Sequence, residues 1–151
     1  MSDLVFDIAT IDDLYDVSLI ENEAFIEPYK ASDLLYEISE NPLNTFLLAK
    51  KSGVIVGFLD YMVTFNSATI NQIAVKKAFR REGIAKALLN EMFNRFPKDI
   101  DDVVETVTLE VRVSNEAALK LYESVGFEKV LVKKNYYKDG EDAAYMIKRI
   151  L

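Results

Sequence analysis

A cation-rich segment that ends at a single glycine is the part of this sequence whose residue types most directly indicate chemistry. Its cations are Lys76, Lys77, Arg80, Arg81 and Lys86, and Glu82 is the one carboxylate among them. Gly83 lacks a Cβ at a point where backbone can approach a ligand closely. A strand before the segment and a helix after it would aim free backbone N–H groups and the positive end of a helix dipole at one point. Such an arrangement binds anions, and a diphosphate fits it.

A simpler interpretation of the same segment stays open, in which Gly83 only turns the chain and water solvates the cations. The dinucleotide-binding and P-loop fingerprints each need more glycines than this segment has. By itself the segment therefore predicts an anion site without identifying the anion.

The sequence contains no cysteine and no histidine, which narrows the chemistry further. Disulfides, thiolate nucleophiles, the usual catalytic triads and most zinc and iron sites are excluded. Acid–base chemistry must then use Asp, Glu, Lys, Tyr, substrate groups or water. No carboxylate cluster in the sequence suggests magnesium, so we expect no metal.

The charge and length of the chain bear on its partners and its organisation. A net charge of −7 disfavours nucleic acid and favours cationic acceptors such as amines or basic peptides. A length of 151 residues predicts one domain, residues 1–151. No apolar run approaches roughly 18 residues, and no basic segment followed by an apolar one opens the chain. We therefore expect a cytoplasmic protein without a membrane partner, as a monomer or weak dimer.

Hydrophobic periodicity and turn residues predict the elements that must position these groups. The predicted strands are residues 5–9, 45–50, 54–64, 68–75, 106–111, 128–135 and 142–148. Thr10 is predicted to cap a helix that runs to Ala24, and Ser32 a second helix that ends at Asn41-Pro42. A third helix should begin just after Gly83 and end at Pro97. A fourth should cover Asn115–Val125, followed by Gly126 as a left-handed C-cap.

This order of elements indicates an α/β fold. Strands four and five are joined through a helix, so they should be parallel neighbours, while the other strands pair as hairpins. We therefore expect a mixed sheet with helices on both of its faces.

The pattern Arg80-x-x-Gly83-x-Ala85, between a strand and a helix that contains Leu88-Leu89, resembles the coenzyme A motif of the GNAT N-acetyltransferases. The resemblance extends from Val5 to Lys148. It implies the GNAT fold, a mostly antiparallel seven-stranded sheet whose parallel central strands 4 and 5 splay apart, with acetyl-CoA as co-substrate. The residues that it implies for coenzyme binding are Ile73, Ala74, Val75, Arg80, Arg81, Glu82, Gly83, Ile84, Ala85, Lys86, Asn115 and Tyr122. Backbone amides of Arg81–Lys86 would hold the pyrophosphate, and Ile73–Val75 the pantetheine arm and acetyl carbonyl.

The second half of the chain resembles one group within that family, the ribosomal-protein-alanine N-acetyltransferases of the RimI type. Four matches occur in the same order: Leu109–Asn115, Leu121–Phe127, Lys134–Tyr137 and Glu141–Ala143. The earlier Glu27-Pro28-Tyr29 departs from the pattern, because the family usually carries Trp after this Pro. The resemblance implies that Glu110 is the general base, directly or through water, and that Tyr122 is the general acid. It also implies acceptor contacts for Tyr29, Glu110, Tyr136 and Tyr137.

Each of these residues also has a purely structural interpretation. Periodicity alone makes Glu110 a solvent-facing strand residue and Tyr122 a core aromatic on a helix face. Asn115 is predicted to cap the fourth helix by its side chain. Tyr136 and Tyr137 could simply close the last hairpin. Arg112 and Glu141 could form a structural salt bridge.

The nature of the acceptor follows from a pKa argument and from the resemblance. Deprotonating an α-amine of pKa near 8 at pH 7 costs about 1.4 kcal/mol, whereas a lysine side chain costs about 4 to 5 kcal/mol. A site with one candidate carboxylate more easily serves an α-amine. The resemblance implies acetylation of a protein or peptide N-terminus, in bacteria the N-terminal alanine of a basic small-subunit ribosomal protein. The alternatives are a small-amine acetyltransferase of the polyamine type and a non-catalytic acyl-CoA-binding module.

Overall fold

The computed structural model of the chain describes residues 3–97, 99 and 102–150, and among these seven strands form one sheet in the order β1-β2-β3-β4-β5-β7-β6. The strands are β1 (Leu4–Ile8), β2 (Asn44–Lys51), β3 (Val54–Thr64), β4 (Ser67–Val75), β5 (Thr106–Arg112), β6 (Glu128–Lys133) and β7 (Ala143–Arg149). The α-helices are α1 (Leu14–Ala24), α2 (Ala31–Ser39), α3 (Ile84–Arg95) and α4 (Glu116–Ser124), and short 3-10 turns cover Ile11–Asp13 and Lys77–Phe79.

The strand pairing confirms the predicted mixed sheet. The pairs β1–β2, β2–β3, β5–β7 and β6–β7 are antiparallel, and β4–β5 is parallel. The parallel ladder comprises three pairs, from Ser67↔Thr106 to Thr69↔Thr108. Beyond it, β4 continues to Val75 and β5 to Arg112. The parallel central strands that the sequence predicts are therefore present, joined at their N-terminal ends.

The chain divides into two compact units, and β3 and β4 each run through both. The first unit contains residues up to Met62 together with Asn71–Phe96. Its core includes Val17 and Ile20 of α1, Leu34 of α2, and Phe46 and Phe58, whose rings lie 5.0 Å apart. Gly57 is required here, because a Cβ at this position would lie 2.9 Å from the Ala74 carbonyl oxygen.

The second unit contains Val63–Ile70 and the chain from Pro97 onward. In β5, Val107, Leu109 and Val111 are buried while the alternate residues are half-buried, as the alternating sequence predicts. Gly126 has a φ of +100°, which confirms the predicted left-handed C-cap of α4.

The structure corrects the predicted boundaries of several elements. Ser32 does not cap α2, because the helix begins at Ala31, two residues earlier than a Ser32 cap implies. Lys30 is the N-cap, and the Asp33 carboxylate accepts the Lys30 N–H. Before α1, the Asp13 carboxylate accepts the Thr10 N–H at 2.8 Å, and a 3-10 turn precedes the helix.

The last two strands also differ from the prediction at their ends. β6 stops at Lys133 rather than Asn135, because Asn135 has a φ of +51°, which is incompatible with a strand. β7 begins at Ala143 rather than Asp142, whose carboxylate accepts the Asn135 N–H at 2.9 Å.

The described part of the chain shows neither a membrane-spanning helix nor a cluster of metal ligands. No helix there is long and apolar enough to cross a membrane. No group of three or more acidic side chains there is arranged to hold a metal ion.

Candidate active site

The cation-rich segment lies between β4 and α3, as its sequence predicts. Gly83 has a φ of +80° and forms the N-cap of α3, whose first turn is anchored by the buried Ile84. The Ala87 N–H is bonded to the Gly83 carbonyl, which begins the helical pattern. The N–H groups that precede it in the first turn have no carbonyl within the helix to bond, so they form the positive end of a twelve-residue helix.

The charges of this loop favour an anion. Arg80, Arg81, Gly83 and Lys86 are exposed. The carboxylate of Glu82 is paired with Lys51 on β2 at 3.1 Å, so the one negative side chain of the loop is neutralised by a cation from another element. No signal in the sequence connects Lys51 with this loop. The geometry is that of an anion site, and an ideal Cβ on Gly83 would meet nothing within 4 Å, so the space in front of the glycine is open.

The end of β4 presents backbone groups in two directions. The Lys76 N–H donates to the Val56 carbonyl on β3 at 2.8 Å, and the Ala74 carbonyl also lies close to β3 at Gly57. Because backbone groups alternate along a strand, those of Ile73 and Val75 point away from β3. The Val75 carbonyl accepts from Arg80 Nε at 3.1 Å, which fixes Arg80 beside the loop. The Ile73 groups and the Val75 N–H therefore face a direction in which a ligand could bond them.

The predicted base, Glu110, lies on β5 in the second unit. Its carboxylate bonds Lys133 Nζ of β6 at 2.7 Å, and its side chain is 20% exposed. The hydrogen bond to Glu110 raises the pKa of Lys133, whose Nζ also lies 4.6 Å from the centre of the Tyr145 ring. Lys133 was not predicted from the sequence, because its position opposite Glu110 depends on the register of β6 with β7 and of β7 with β5.

The predicted acid, Tyr122, lies on α4 and is only 5% exposed. Its ring packs edge-on against Phe127, with 5.7 Å between centroids. Burial raises the pKa of Tyr122 well above its usual value near 10, so the phenol is protonated at neutral pH. The same helix begins with the predicted cap, since Asn115 Oδ1 accepts the Ala118 N–H at 3.1 Å.

Tyr137 is held by a charged cluster around Arg112. The guanidinium lies 4.1 Å from the centre of the Tyr137 ring and bonds Asp139 at 2.8 Å and Glu141 at 3.0 Å. The Arg112–Glu141 salt bridge is thus confirmed. Partial burial raises the pKa of Tyr137 to about 12, whereas hydrogen bonds from the Glu141 N–H and from Arg112 lower the pKa of Asp139. The ring of Tyr136, 48% exposed, lies 5.0 Å from that of Tyr137.

Tyr29 is positioned by a buried carboxylate that was not predicted from the sequence. Glu21 of α1 is fully buried, and its Oε2 accepts the Tyr29 N–H at 2.9 Å and Gln72 Nε2 at 2.8 Å. Burial raises the pKa of Glu21. A carboxylate on the apolar face of an amphipathic helix was a possible signal, but its partners lie 8 and 51 residues away in the chain.

The predicted site residues thus fall into two groups. The first unit holds Tyr29, the β4 segment Ile73–Val75 and the loop Arg80–Lys86. The second unit holds Glu110, Asn115, Tyr122, Tyr136 and Tyr137. Within it, Lys133 links the carboxylate of Glu110 to the ring of Tyr136, whose centre is 5.5 Å from Nζ.

Comparison with known proteins identifies the family. Residues 11–127 match the model of the acetyltransferase (GNAT) family. The chain is 36% identical over 130 residues to the [ribosomal protein bS18]-alanine N-acetyltransferase of Escherichia coli, with 84% of each chain covered. It is 33% identical over 150 residues to an N-alpha-acetyltransferase of Saccharolobus solfataricus, covering 91% of this chain and 88% of the relative.

The fold of this chain also matches that of a solved structure. The crystal structure of the ribosomal-protein-S18-alanine N-acetyltransferase from Escherichia coli superposes with a TM-score of 0.85 at 30% identity, covering 97% of this chain and 94% of that one. The family match contains the loop at Gly83 as well as Glu110, Asn115 and Tyr122. On the family match, the identity to these relatives and the shared fold, the chain belongs to the GNAT acetyltransferase family.

Proposed function

We propose that this protein transfers the acetyl group of acetyl-CoA to the α-amino group of a protein N-terminus, and that its acceptor is the N-terminal alanine of a small-subunit ribosomal protein. The names of the bacterial and archaeal relatives support this acceptor class. The observation that carries the proposal is the phenol of Tyr122, a proton donor that α4 holds in a buried place and that can act as the acid of a thioester aminolysis.

The loop at the start of α3 is proposed to bind the pyrophosphate of the coenzyme. Exposed Arg80, Arg81 and Lys86 attract the charge, and the N–H groups of the first turn of α3 bond the phosphate oxygens. On β4, the backbone groups of Ile73 and Val75 that point away from β3 bond the pantetheine arm and the acetyl carbonyl. Bound acetyl-CoA supplies the acetyl group as an activated thioester.

The proton transfers are assigned to Glu110 and Tyr122. The amine nitrogen forms a bond to the acetyl carbon, the carbon–sulfur bond breaks, and the products are the amide and the free thiol. The α-ammonium first loses one proton to water. Glu110 then takes the proton that the attacking amine loses, directly or through water, and Tyr122 gives its proton to the departing sulfur; exchange with water restores both residues. The incoming α-ammonium competes with Lys133 for the Glu110 carboxylate. Lys133 Nζ of β6 lies 2.7 Å from this carboxylate on β5.

Three tyrosines are proposed to contact the acceptor peptide: Tyr29, Tyr136 and Tyr137. The cluster of Arg112, Asp139 and Glu141 fixes the Tyr137 ring, and Glu21 fixes the backbone at Tyr29. In both places charged side chains fix a loop, which suits segments that must present side chains to a flexible peptide.

The test is a transfer assay with a panel of acceptors. The protein is incubated with acetyl-CoA and with peptides that begin in Ala or Ser, peptides whose only amine is lysine, and free polyamines, and thiol release is followed. We expect release with the N-terminal peptides and little with the others. No release above background with any acceptor would contradict an enzymatic role, and turnover of polyamines without any preference for peptides would support the small-amine alternative.

A further inference from the structure

A cavity of about 380 Å³ in the first unit has an acidic wall. Asp33 and Glu37 of α2 and Asp60 of β3 contribute three carboxylates, and none of the described residues that line the cavity carries a positive charge. Tyr29 and Tyr36 add two aromatic rings. Ligand pockets in proteins span roughly 300–1,000 Å³, so this one suits a single side chain or a small molecule.

Asp60 is the unusual member of this wall, because it is fully buried. Its Oδ1 accepts from the side-chain amides of Asn44 and Asn71, the latter at 3.3 Å. Among the described residues nothing bonds its Oδ2, which is also buried. A buried carboxylate oxygen without a donor is costly, and the neighbouring amides are already engaged: Asn44 Nδ2 also donates to the Glu37 carbonyl at 3.1 Å, and Asn71 Nδ2 to Asn44 Oδ1 at 3.1 Å.

The surroundings of Asp60 favour a cation beside it. Burial, and then the negative charges of Glu37 and Glu21, raise the pKa of Asp60 to about 7, against the lowering effect of the two asparagines. An ammonium or guanidinium group in the cavity would supply the missing donor and offset the repulsion among the carboxylates. The rings of Tyr29 and Tyr36, 38% and 48% exposed, would cover the aliphatic stem of such a group.

We propose that this cavity binds a basic side chain, lysine or arginine, that follows the N-terminal residue of the acceptor polypeptide. This inference rests on the proposed function and adds a determinant of acceptor choice to it. Tyr29 connects the two, since it lines the cavity and is also proposed to contact the acceptor from the α1–α2 connection, where Glu21 holds its backbone. A polypeptide acceptor is favoured over a free amine because one lining residue, Tyr29, belongs to the connection that is proposed to contact the peptide.

The test compares paired peptides that begin in Ala and differ at one position, arginine in one and its neutral isostere citrulline in the other. One pair is made for each of positions 2 to 5 of the peptide. The kcat/KM for every peptide is measured with the wild-type protein, Asp60→Asn and Glu37→Gln. We expect the wild type to prefer arginine at one position by about tenfold or more, and each variant to lose most of that preference. Asp12→Asn, an exposed carboxylate with the same change in net charge, should keep it.

The outcomes distinguish failure of the cavity assignment from failure of the proposed function. Efficient transfer with equal kcat/KM for arginine and citrulline at every position would overturn the cavity assignment and leave the proposed function standing. If no peptide is acetylated, the proposed function fails, and calorimetric titration with the N-acetylated peptides still decides the cavity: equal affinity for both members of each pair overturns it. Binding of spermidine that Asp60→Asn abolishes, without any arginine preference, would assign the cavity to a free amine instead and overturn the peptide assignment.

Discussion

Tyr122 is a buried phenol whose ring is fixed by packing. The ring is 5% exposed and packs on Phe127, and none of the hydrogen bonds among the described residues uses its hydroxyl group. We expect Tyr122→Phe to lower kcat by about 10²-fold or more, since only the donated proton is removed. The dissociation constant of acetyl-CoA should hardly change, because Phe keeps the ring packing. Steady-state kinetics and calorimetry measure the two quantities, and an unchanged kcat would remove Tyr122 from the mechanism.

Lys133 occupies the carboxylate of Glu110, the proposed base, as its ion-pair partner. The pair is at the surface, with side-chain exposures of 38% and 20%, so its contribution is modest. We expect Lys133→Met to lower the KM for an acceptor peptide by up to about fivefold at low salt, because the α-ammonium then meets no competitor at the carboxylate. The methionine retains an aliphatic contact with the Tyr145 ring.

The neighbouring Lys134 provides the matched control for that experiment. It is 80% exposed and pairs with Asp142 at 3.3 Å, away from Glu110. Lys134→Met changes the net charge equally and should leave the acceptor KM unaltered. An equal effect of both variants would show that overall charge, rather than release of Glu110, is responsible, and the difference between them should shrink as salt rises.

At the scale of elements, the connection from β4 to α3 depends on Gly83. A Cβ there meets nothing within 4 Å, so a larger residue would crowd a ligand rather than the protein itself. Gly53, in the β2–β3 turn, has nearly the same φ, +79° against +80°, and equally open surroundings. We expect Gly83→Ala and Gly53→Ala to lower the free energy of unfolding by a similar amount, roughly 1 kcal/mol.

Only one of these two variants should affect the coenzyme. Gly83→Ala should raise the dissociation constant of acetyl-CoA, because its Cβ projects where the pyrophosphate is proposed to lie, whereas Gly53→Ala should leave it unchanged. Chemical denaturation and calorimetry measure the two effects separately. Equal affinity in both variants would contradict the placement of the pyrophosphate at this loop.

Local patterns in the sequence were sufficient to predict the strands and helices on which the candidate site residues lie. The alternation of β5, the Asn115 cap and the left-handed Gly126 depend on neighbours within a few residues, and all three predictions are confirmed. The predicted start of α2 was wrong by two residues, because the N-cap is Lys30, whose N–H the Asp33 carboxylate accepts, and not Ser32. The roles of the site residues stay predictions.

What the sequence did not predict depends on contacts between distant elements. Lys133 reaches Glu110 only through the pairing of three strands, and Glu21 meets Gln72 from 51 positions away. Asp60 lies within the predicted third strand, and the two asparagines that bond its carboxylate lie 16 and 11 positions away in the chain. A charge on an apolar face, such as Glu21, can be noticed in the sequence, but the partners that satisfy it cannot be, because they lie far away in the chain.

At the scale of the whole molecule, charge is distributed unevenly in a chain of net charge −7. The first unit concentrates its cations in the loop before α3, where an anionic coenzyme is proposed to bind, and gathers carboxylates around the cavity at Asp60. The two regions attract opposite charges. An acidic protein can therefore bind an anionic coenzyme and a basic polypeptide at once, provided that each charge is confined to its own surface.

The buried carboxylate of Asp60 should also make the stability of the molecule depend on pH. Its pKa is raised from 3.8 to about 7, so the folded state holds the proton more tightly than the unfolded state. The stabilisation is complete below about pH 4 and is lost as pH rises through 7, by at most about 4 kcal/mol. Asp139, Glu141 and Asp142 act in the opposite sense, since their lowered pKa values stabilise the folded state as pH rises.

Comparison of the wild type with Asp60→Asn isolates this effect, because the other carboxylates are common to both proteins. Asparagine cannot ionise, so the variant should be more stable than the wild type at pH 8, and the difference between them should shrink towards pH 5. Urea unfolding at both pH values measures it. A difference that is the same at pH 5 and pH 8 would show that Asp60 does not change its protonation between folded and unfolded states, and that its unbonded oxygen is satisfied in some way other than by a proton.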